Sequence, residues 1–330
     1  MDINISNLER VRGGIWGVAT GDALGATVEF MDRDEIKAKH GVLREIIGGG
    51  WMGLQAGEWT DDTEMTLALA EGIFEDKEQP IEPIGKRFLE WQAGEPRDIG
   101  YTVAASIGAY KISGDWHKGA FAVHELDGQT AGNGSLMRTL PVAFAYKTPE
   151  EIYMRAIEIS RMTHWDLQAG LCCAYYCICA RELLQKEPLA AMEIAWKKVD
   201  SLTQGKERRS LRPLMDIDLH QPQKIMDLTE GELLPAGYVI PSFQCALWAF
   251  LNHNNFEDTT VAAVNLGGDA DTVGAIVGGL AGTYWGIGSI PKRWLGKFDK
   301  KQSQRLDLAA RGLWKLAATS SNQETNEVEL

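Results

Sequence analysis

Carboxylates gather at two places in this chain. Residues 58–64 read EWTDDTE and run straight into the apolar MTLALAEGIF, while residues 265–272 read NLGGDADT and open the equally apolar VGAIVGGLAG. Thr60 or Asp61 would cap the first helix, and acidic residues suit the positive end of a helix dipole. Capping explains one carboxylate, but not two close together with hydroxyls beside them, a pattern that recurs 208 residues on, from Asp61 to Asp269. If the two helix heads meet, Thr60, Asp61, Asp62, Asp269, Asp271 and Thr272 form an all-oxygen cluster with four negative charges. Such a cluster cannot be buried without cations. Oxygen donors without Cys or His select Mg²⁺, Mn²⁺ or Ca²⁺ over zinc or copper, and four carboxylates suit two ions better than one. Glu29, in GDALGATVEF, is a further acidic candidate beside Gly25 and Phe30.

The elements that must position these residues read as helices. Leu8, Val11, Ile15, Val18 and Ala19 fall on one stripe of residues 8–25, and Met65, Leu69 and Ile73 on one stripe of 63–74. Further helical stretches are 82–92, 99–112, 136–146, 150–162, 167–185, 187–200, 241–253, 257–265, 271–285 and 303–317. Strand alternation is confined to Val42 through Ile47. The expected fold class is all-α: one compact, orthogonal helical bundle over residues 8–317, with a polar, irregular excursion at about 200–232. Residues 318–330 have too little apolar content to pack and are expected to be a disordered tail.

Composition excludes other classes. The chain has 330 residues, 45% hydrophobic and 24% charged, which is the mix of a globular protein with a sizeable core. Its formal charge of −13 repels phosphate backbones, so no nucleic-acid partner is expected. The polar opening MDINISNLERVR offers no secretory signal, and the expected location is cytoplasmic. Cys172, Cys173, Cys177, Cys179 and Cys245 lack framework or zinc spacing and read as small buried hydrophobes. Residues 272–290 carry no charge and contain Gly274 and Gly278 at GxxxG spacing, yet Asp269 and Asp271 adjoin them and no basic flank follows. A core helix is expected there, with no membrane partner. Gly48, Gly50 and Gly53 satisfy GxGxxG without a helix behind them, so they read as a glycine-rich loop leading to the Asp61 segment.

Seven segments resemble, in order, the successive motifs of the ADP-ribosylglycohydrolase family. They are GDALGATVEF, WTDDTEMTLALA, DIGYTV, AGNGSLMRTLPVA, the Thr163-His164 pair, GYVIPSFQCALWAF and NLGGDADTVGAIVGGLAG, spanning about residues 10–300. The resemblance implies a compact all-α domain with two Mg²⁺ or Mn²⁺ ions at the bottom of a cleft. It also implies hydrolysis of ADP-ribose from a modified side chain, an arginine N-glycoside being the preferred bond, on a protein or a small conjugate. Thr60, Asp61, Asp62, Asp269, Asp271 and Thr272 match the family's metal ligands and Glu29 its acidic loop residue. The general base would then be Glu29 or a ligand carboxylate such as Asp62 or Asp269.

Other positions match the family's ligand contacts. Asn133, Gly134 and Ser135 suit a diphosphate, because backbone N–H groups at a helix start hold anions without Lys. Asp98, Gly100 and Tyr101 resemble the loop along the ribose and the released side chain. Asp98 could pair with a guanidinium, or simply cap the helix 99–112. His164 matches a histidine near the ligand. Tyr101 and Pro241-Ser242 depart from the family pattern in loops that set acceptor choice. Two competing functions are a module that binds ADP-ribose without turnover and a two-metal nucleotide phosphoesterase. The expected oligomeric state is a monomer.

Overall fold

The computed structural model describes residues 5–319, and among them helices account for all regular structure. In chain order they are α1 (Asn7–Gly25), α2 (Arg33–His40), α3 (Asp61–Glu75), α4 (Ile81–Ala93), α5 (Tyr101–Ser113), α6 (Trp116–Asp127), α7 (Pro141–Ala145), α8 (Pro149–Ser160) and α9 (Leu167–Glu182). The second half adds α10 (Pro188–Leu202), α11 (Arg212–Asp216), α12 (Pro222–Met226), α13 (Val239–Asn252), α14 (Phe256–Val264), α15 (Ala270–Trp285), α16 (Lys292–Leu295) and α17 (Lys300–Thr319). Capping boxes set several starts: Ser6 with Glu9, Asp32 with Glu35 and Thr148 with Glu151. The last helix takes in the first residues of the expected tail, and 320–330 lie outside the described residues.

The centre of the molecule is the antiparallel pair α1 and α15. Gly13, Gly17, Gly21 and Gly25 recur every fourth residue on α1, facing Gly282, Gly278, Gly274 and Ala270 on α15. A Cβ at Gly17 would lie 2.0 Å from the Gly278 carbonyl oxygen, and one at Gly21 only 1.9 Å from that of Gly274. The two backbones therefore touch, which only glycine permits. This contact runs the length of both helices and delivers the end of α1, and Glu29 just beyond it, to the head of α15, where Asp269 and Asp271 stand.

The third acid-bearing element is tied to the same pair. Asp22 of α1 is wholly buried and accepts hydrogen bonds from the Thr60 and Thr63 backbone N–H groups at 3.0 Å, and from the Thr63 hydroxyl. A side chain from one helix thus caps another. At its outer face α3 is held to α17 by Arg305, which reaches Glu64 at 2.6 Å and Glu71 at 2.7 Å.

Several sequence expectations change. Residues 42–47 form no strand, because the Leu43 N–H donates to Asn265 Oδ1, its carbonyl accepts from Asn265 Nδ2, and Gly48 to Gly50 turn left-handed directly afterwards. β-bridges among the described residues are limited to the isolated pairs Gly49–Leu54 and Gly132–Tyr238. Of the helix expected over 136–146 only the short α7 forms, preceded by turns at 136–138 and a 3₁₀ turn, Asn133–Ser135. Pro141 starts α7 and could not continue a helix through its own position. Stretch 200–232 is not irregular throughout: a 3₁₀ turn, Gly205–Leu211, and then α11 and α12 bury Leu211, Leu214 and Ile225. Helix α2 escaped the reading because it buries only Ile36 and so has no apolar stripe. All five cysteines are free and buried. Residues 270–285 form a buried core helix, and no described helix is long and apolar enough to cross a membrane.

Candidate active site

The two helix heads meet. The Thr272 hydroxyl of α15 reaches Asp62 Oδ2 of α3 at 3.4 Å, and the Thr60 hydroxyl donates to the same oxygen at 3.1 Å. Carboxylate oxygens of Glu29, Asp269 and Asp271 all lie within 4.8 Å of one another. These groups floor a cleft of about 350 Å³ that is also lined by Asp61, Asp62 and Thr272. Asp62 Oδ1 is buried without a hydrogen-bond partner, an arrangement that costs free energy unless something positive fills it.

The electrostatics point the same way. Burial, reinforced by neighbouring carboxylates, pushes Asp61, Asp62 and Asp271 well above the ordinary carboxylate range. Burial raises Glu29 to about 7 against an opposing hydrogen bond from Trp51, and Asp22 to about 6 against the N–H and hydroxyl donors of Thr60 and Thr63. Asp98 is also raised, by burial and by the charge of Asp269. Carboxylates resist ionisation in this way where anions are crowded in low dielectric. An all-oxygen donor set with one orphaned carboxylate oxygen fits a hard divalent cation.

The opposite wall offers donors. His164 is buried against Gly132 and Gly134, and burial together with Arg138 pushes its ring down to about 3, so it is neutral. Arg138 donates to Thr163 Oγ1 at 2.6 Å, and Thr163 Oγ1 lies 2.8 Å from His164 Nδ1. Arg138 occupies one lone pair of the Thr163 hydroxyl and leaves its hydrogen free for Nδ1; with that bond made, the ring hydrogen sits on Nε2, facing the glycines. Asn133 spends its N–H on the Gly237 carbonyl, while its side-chain amide donates to Asp269 Oδ2 at 2.7 Å and so orients that carboxylate. Gly134 lines the cleft, but Ser135 does not: its hydroxyl accepts from Ser160 at 2.8 Å inside the core. The 3₁₀ turn here replaces the helix start expected for anion binding.

Asp98, Gly100 and Tyr101 line the rim. Helix α5 begins at Tyr101 with Gly100 as its N-cap, so Asp98 is not its capping residue; its carboxylate accepts from the Ile99 backbone and lines the cleft. Tyr101 is exposed, and its hydroxyl is bonded to Asp127.

Sequence reasoning missed three residues of this site. Asp22 stood inside a quoted motif without a role; a carboxylate between Gly21 and Ala23 on a buried helix was its signal. Trp51, within the glycine loop, donates its indole N–H to Glu29 Oε2 at 2.7 Å. Arg138, in the apolar LMRTLPVAF, is fully buried under Phe88, with its guanidinium 4.7 Å from the ring centre. An isolated cation in an apolar run was the available clue.

The helical chain whose three acidic segments converge in this way resembles proteins that are named as ADP-ribosyl glycohydrolases and hydrolases. The pattern of the ADP-ribosylglycohydrolase family matches residues 4–323. The chain is 32% identical to ADP-ribosyl-[dinitrogen reductase] glycohydrolase of Rhodospirillum rubrum, across 90% of this chain and 93% of that one. It is 33% identical to ADP-ribosylarginine hydrolase Tri1 of Pseudomonas putida (strain GB-1), across 88% and 74% respectively. A solved structure described as an ADP-ribosylglycohydrolase-related protein complex superposes with a TM-score of 0.74 at 31% identity, covering 94% of this chain and 99% of the other. The chain belongs to the ADP-ribosylglycohydrolase family.

Proposed function

We propose that this enzyme removes ADP-ribose from mono-ADP-ribosylated arginine, on a protein or a small conjugate, and that it depends on two divalent cations, Mg²⁺ or Mn²⁺. The observation that carries the metal dependence is the orphaned Asp62 Oδ1 beside the convergent oxygens of Glu29, Asp269 and Asp271. The preference for arginine is supported by the relative named for ADP-ribosylarginine.

In this reading Thr60, Asp61, Asp62, Asp269, Asp271 and Thr272 hold the cations. When bound, the ions neutralise the crowded carboxylates and anchor vicinal ribose hydroxyls and a water. The chain's own groups do the rest. Carboxylates around the anomeric carbon stabilise the positive charge that grows as its bond to the acceptor breaks. Glu29, whose burial raises its pKa to about 7 without metal, takes the proton of the attacking water as the carboxylate, with Asp62 and Asp269 lining the same floor. His164 Nε2–H and the Gly134 backbone face the diphosphate, and Asn133 acts through Asp269. Asp98, Gly100 and Tyr101 line the path of the departing side chain.

The test is product release from arginine-ADP-ribosylated protein with Mg²⁺, Mn²⁺ or EDTA, for wild type and Asp269→Ala. Intact ADP-ribose released only with metal, and lost in the variant, is the expected result. Release of AMP would make the protein a phosphoesterase instead. Binding of ADP-ribose without release would make it a reader.

A further inference from the structure

A second cavity of about 350 Å³ shares no lining residue with the acidic cleft. It lies between α6, α8 and the start of α9, with apolar walls from Tyr153, Met154, Ile157, Trp165 and Leu167. A volume of this size encloses a small ligand. Most of the polar groups around it are spent. The Tyr153 hydroxyl lies 3.1 Å from Thr203 Oγ1, His117 gives its Nε2 hydrogen to the Glu158 carbonyl at 3.0 Å, and the Glu158 carboxylate pairs with Arg155 at 2.8 Å.

Arg161 is the exception. Its guanidinium makes no hydrogen bond among the described residues, its Nε is buried without a partner, and the carboxylate of Glu207 stands 3.9 Å away and more than half exposed. A buried donor without an acceptor costs free energy that an anion in the cavity would recover. The 3₁₀ turn Gly205–Leu211 brings Glu207 to the cavity edge and carries three cations with it. Arg208 is spent on Asp200 at 2.6 Å, but Lys206 and Arg209 are exposed, so this edge is basic in a chain of charge −13.

The cavity is joined to the active site through one turn of chain. Helix α8 ends at Ser160, whose carbonyl accepts the N–H groups of Thr163 at 3.2 Å and His164 at 2.8 Å. Arg161 and Trp165 stand at the two ends of that turn and meet across it, the guanidinium 5.1 Å from the indole ring centre. Between them in the chain, His164 presents its ring to Gly132 and Gly134 in the acidic cleft. A ligand that draws Arg161 off the Trp165 ring therefore acts on the residues either side of His164.

We infer that this cavity is an effector site for a small carboxylate with an apolar ring. The carboxylate takes the free N–H groups of Arg161, in the forked pairing that a guanidinium favours. The ring lies against the aromatic walls of Tyr153 and Trp165. Occupancy moves His164, whichever glycosidic bond the enzyme cleaves.

Phenylacetate is the probe, with phenylacetamide as its uncharged counterpart and acetate as the head group without a ring, all on the full chain in Mg²⁺. Calorimetry should show phenylacetate saturating with a Kd of about 1 mM or tighter, and the other two should bind about tenfold more weakly or less. The ring nitrogen shifts of His164 should move as phenylacetate saturates and stay in place with acetate. Arg161→Gln should weaken phenylacetate roughly tenfold and leave phenylacetamide unchanged. If that variant fails to fold, Met154→Glu decides. It adds a like charge at an exposed residue of the cavity wall and should weaken phenylacetate roughly fivefold. Equal affinities for phenylacetate and phenylacetamide, or saturation by neither, overturn the site. Phenylacetate binding with the His164 resonances unmoved overturns the effector role.

Discussion

The indole N–H of Trp51 donates to Glu29 Oε2 at 2.7 Å, and its ring packs 5.7 Å from that of Phe30. Phe30 has a positive φ of 64°, an uncommon conformation that turns the chain sharply after Glu29. Trp51 thus fixes a carboxylate at the edge of the acidic floor from a loop that carries no other chemistry.

Trp51→Phe keeps the ring contact and deletes the donor. If Trp51 acts by orienting Glu29, kcat should fall about tenfold with little change in ADP-ribose affinity. Glu29→Gln should lower kcat about a hundredfold or more. The two losses should not add: Trp51→Phe should cost little once Glu29 is already Gln. Full additivity in this cycle would show that the tryptophan serves the loop and not the carboxylate.

Metal removal should expose the strain among the acids. Asp22 is raised to about 6 and Glu29 to about 7, and Asp61, Asp62 and Asp271 lie well above their usual range, all through burial. A carboxyl that ionises less readily folded than unfolded contributes stability that is complete below about pH 4 and is lost as pH rises through its folded pKa. The metal-free enzyme should therefore lose Tm between about pH 5 and pH 8. Mn²⁺ should restore it most at the alkaline end, where the ligands bind as anions. Thermal unfolding in EDTA and in Mn²⁺ across that range is the check; a flat profile without a metal shift would contradict the site.

The α1–α15 contact predicts opposite outcomes for two glycine substitutions. Gly278→Ala forces a Cβ to 2.1 Å from the Gly17 carbonyl oxygen, with backbone on both sides, and should cost about 3 kcal/mol or prevent folding. Gly108→Ala, within α5, meets nothing within 4 Å and should stabilise by about 0.5–1 kcal/mol. Denaturant midpoints of the two variants against wild type would separate a packing constraint from a general intolerance of alanine.

Those glycines also mark where the sequence was readable and where it was not. The 3.6-residue stripes revealed α1, α3 and most of the longer helices but not α2 or α6, and the two DDT-like heads revealed Asp61, Asp62, Asp269 and Asp271, because local spacing carries both signals. The pair Gly274 and Gly278 was noticed as a motif of α15 alone. Its partner set on α1 has the same four-residue period, but nothing local says that two helices more than 200 residues apart are matched. Asp22 and Trp51 were hidden for the same reason. Each acts on a residue of another segment, and the distance between Asp22 and Thr63 is a fact of packing, not of spacing. Residues 136–146 misled through their apolar content, which Pro141 overrides.

His164 gives a final prediction. Its burial beside Arg138 pushes the ring down to about 3, so it should remain neutral at every pH where the enzyme works. With Arg138 donating to Thr163 and the Thr163 hydroxyl donating to Nδ1, the ring should carry its hydrogen on Nε2, which nitrogen chemical shifts would read directly. Thr163→Val removes the hydroxyl from that chain. It leaves Arg138 Nη2 and His164 Nδ1 buried without their partner, which should cost about 1–3 kcal/mol of stability. With the tautomer released, ADP-ribose should bind roughly tenfold more weakly. An Nδ1–H tautomer in the wild type would reverse the direction of the donor. His164 could then no longer donate to a diphosphate from the face that lines Gly132 and Gly134.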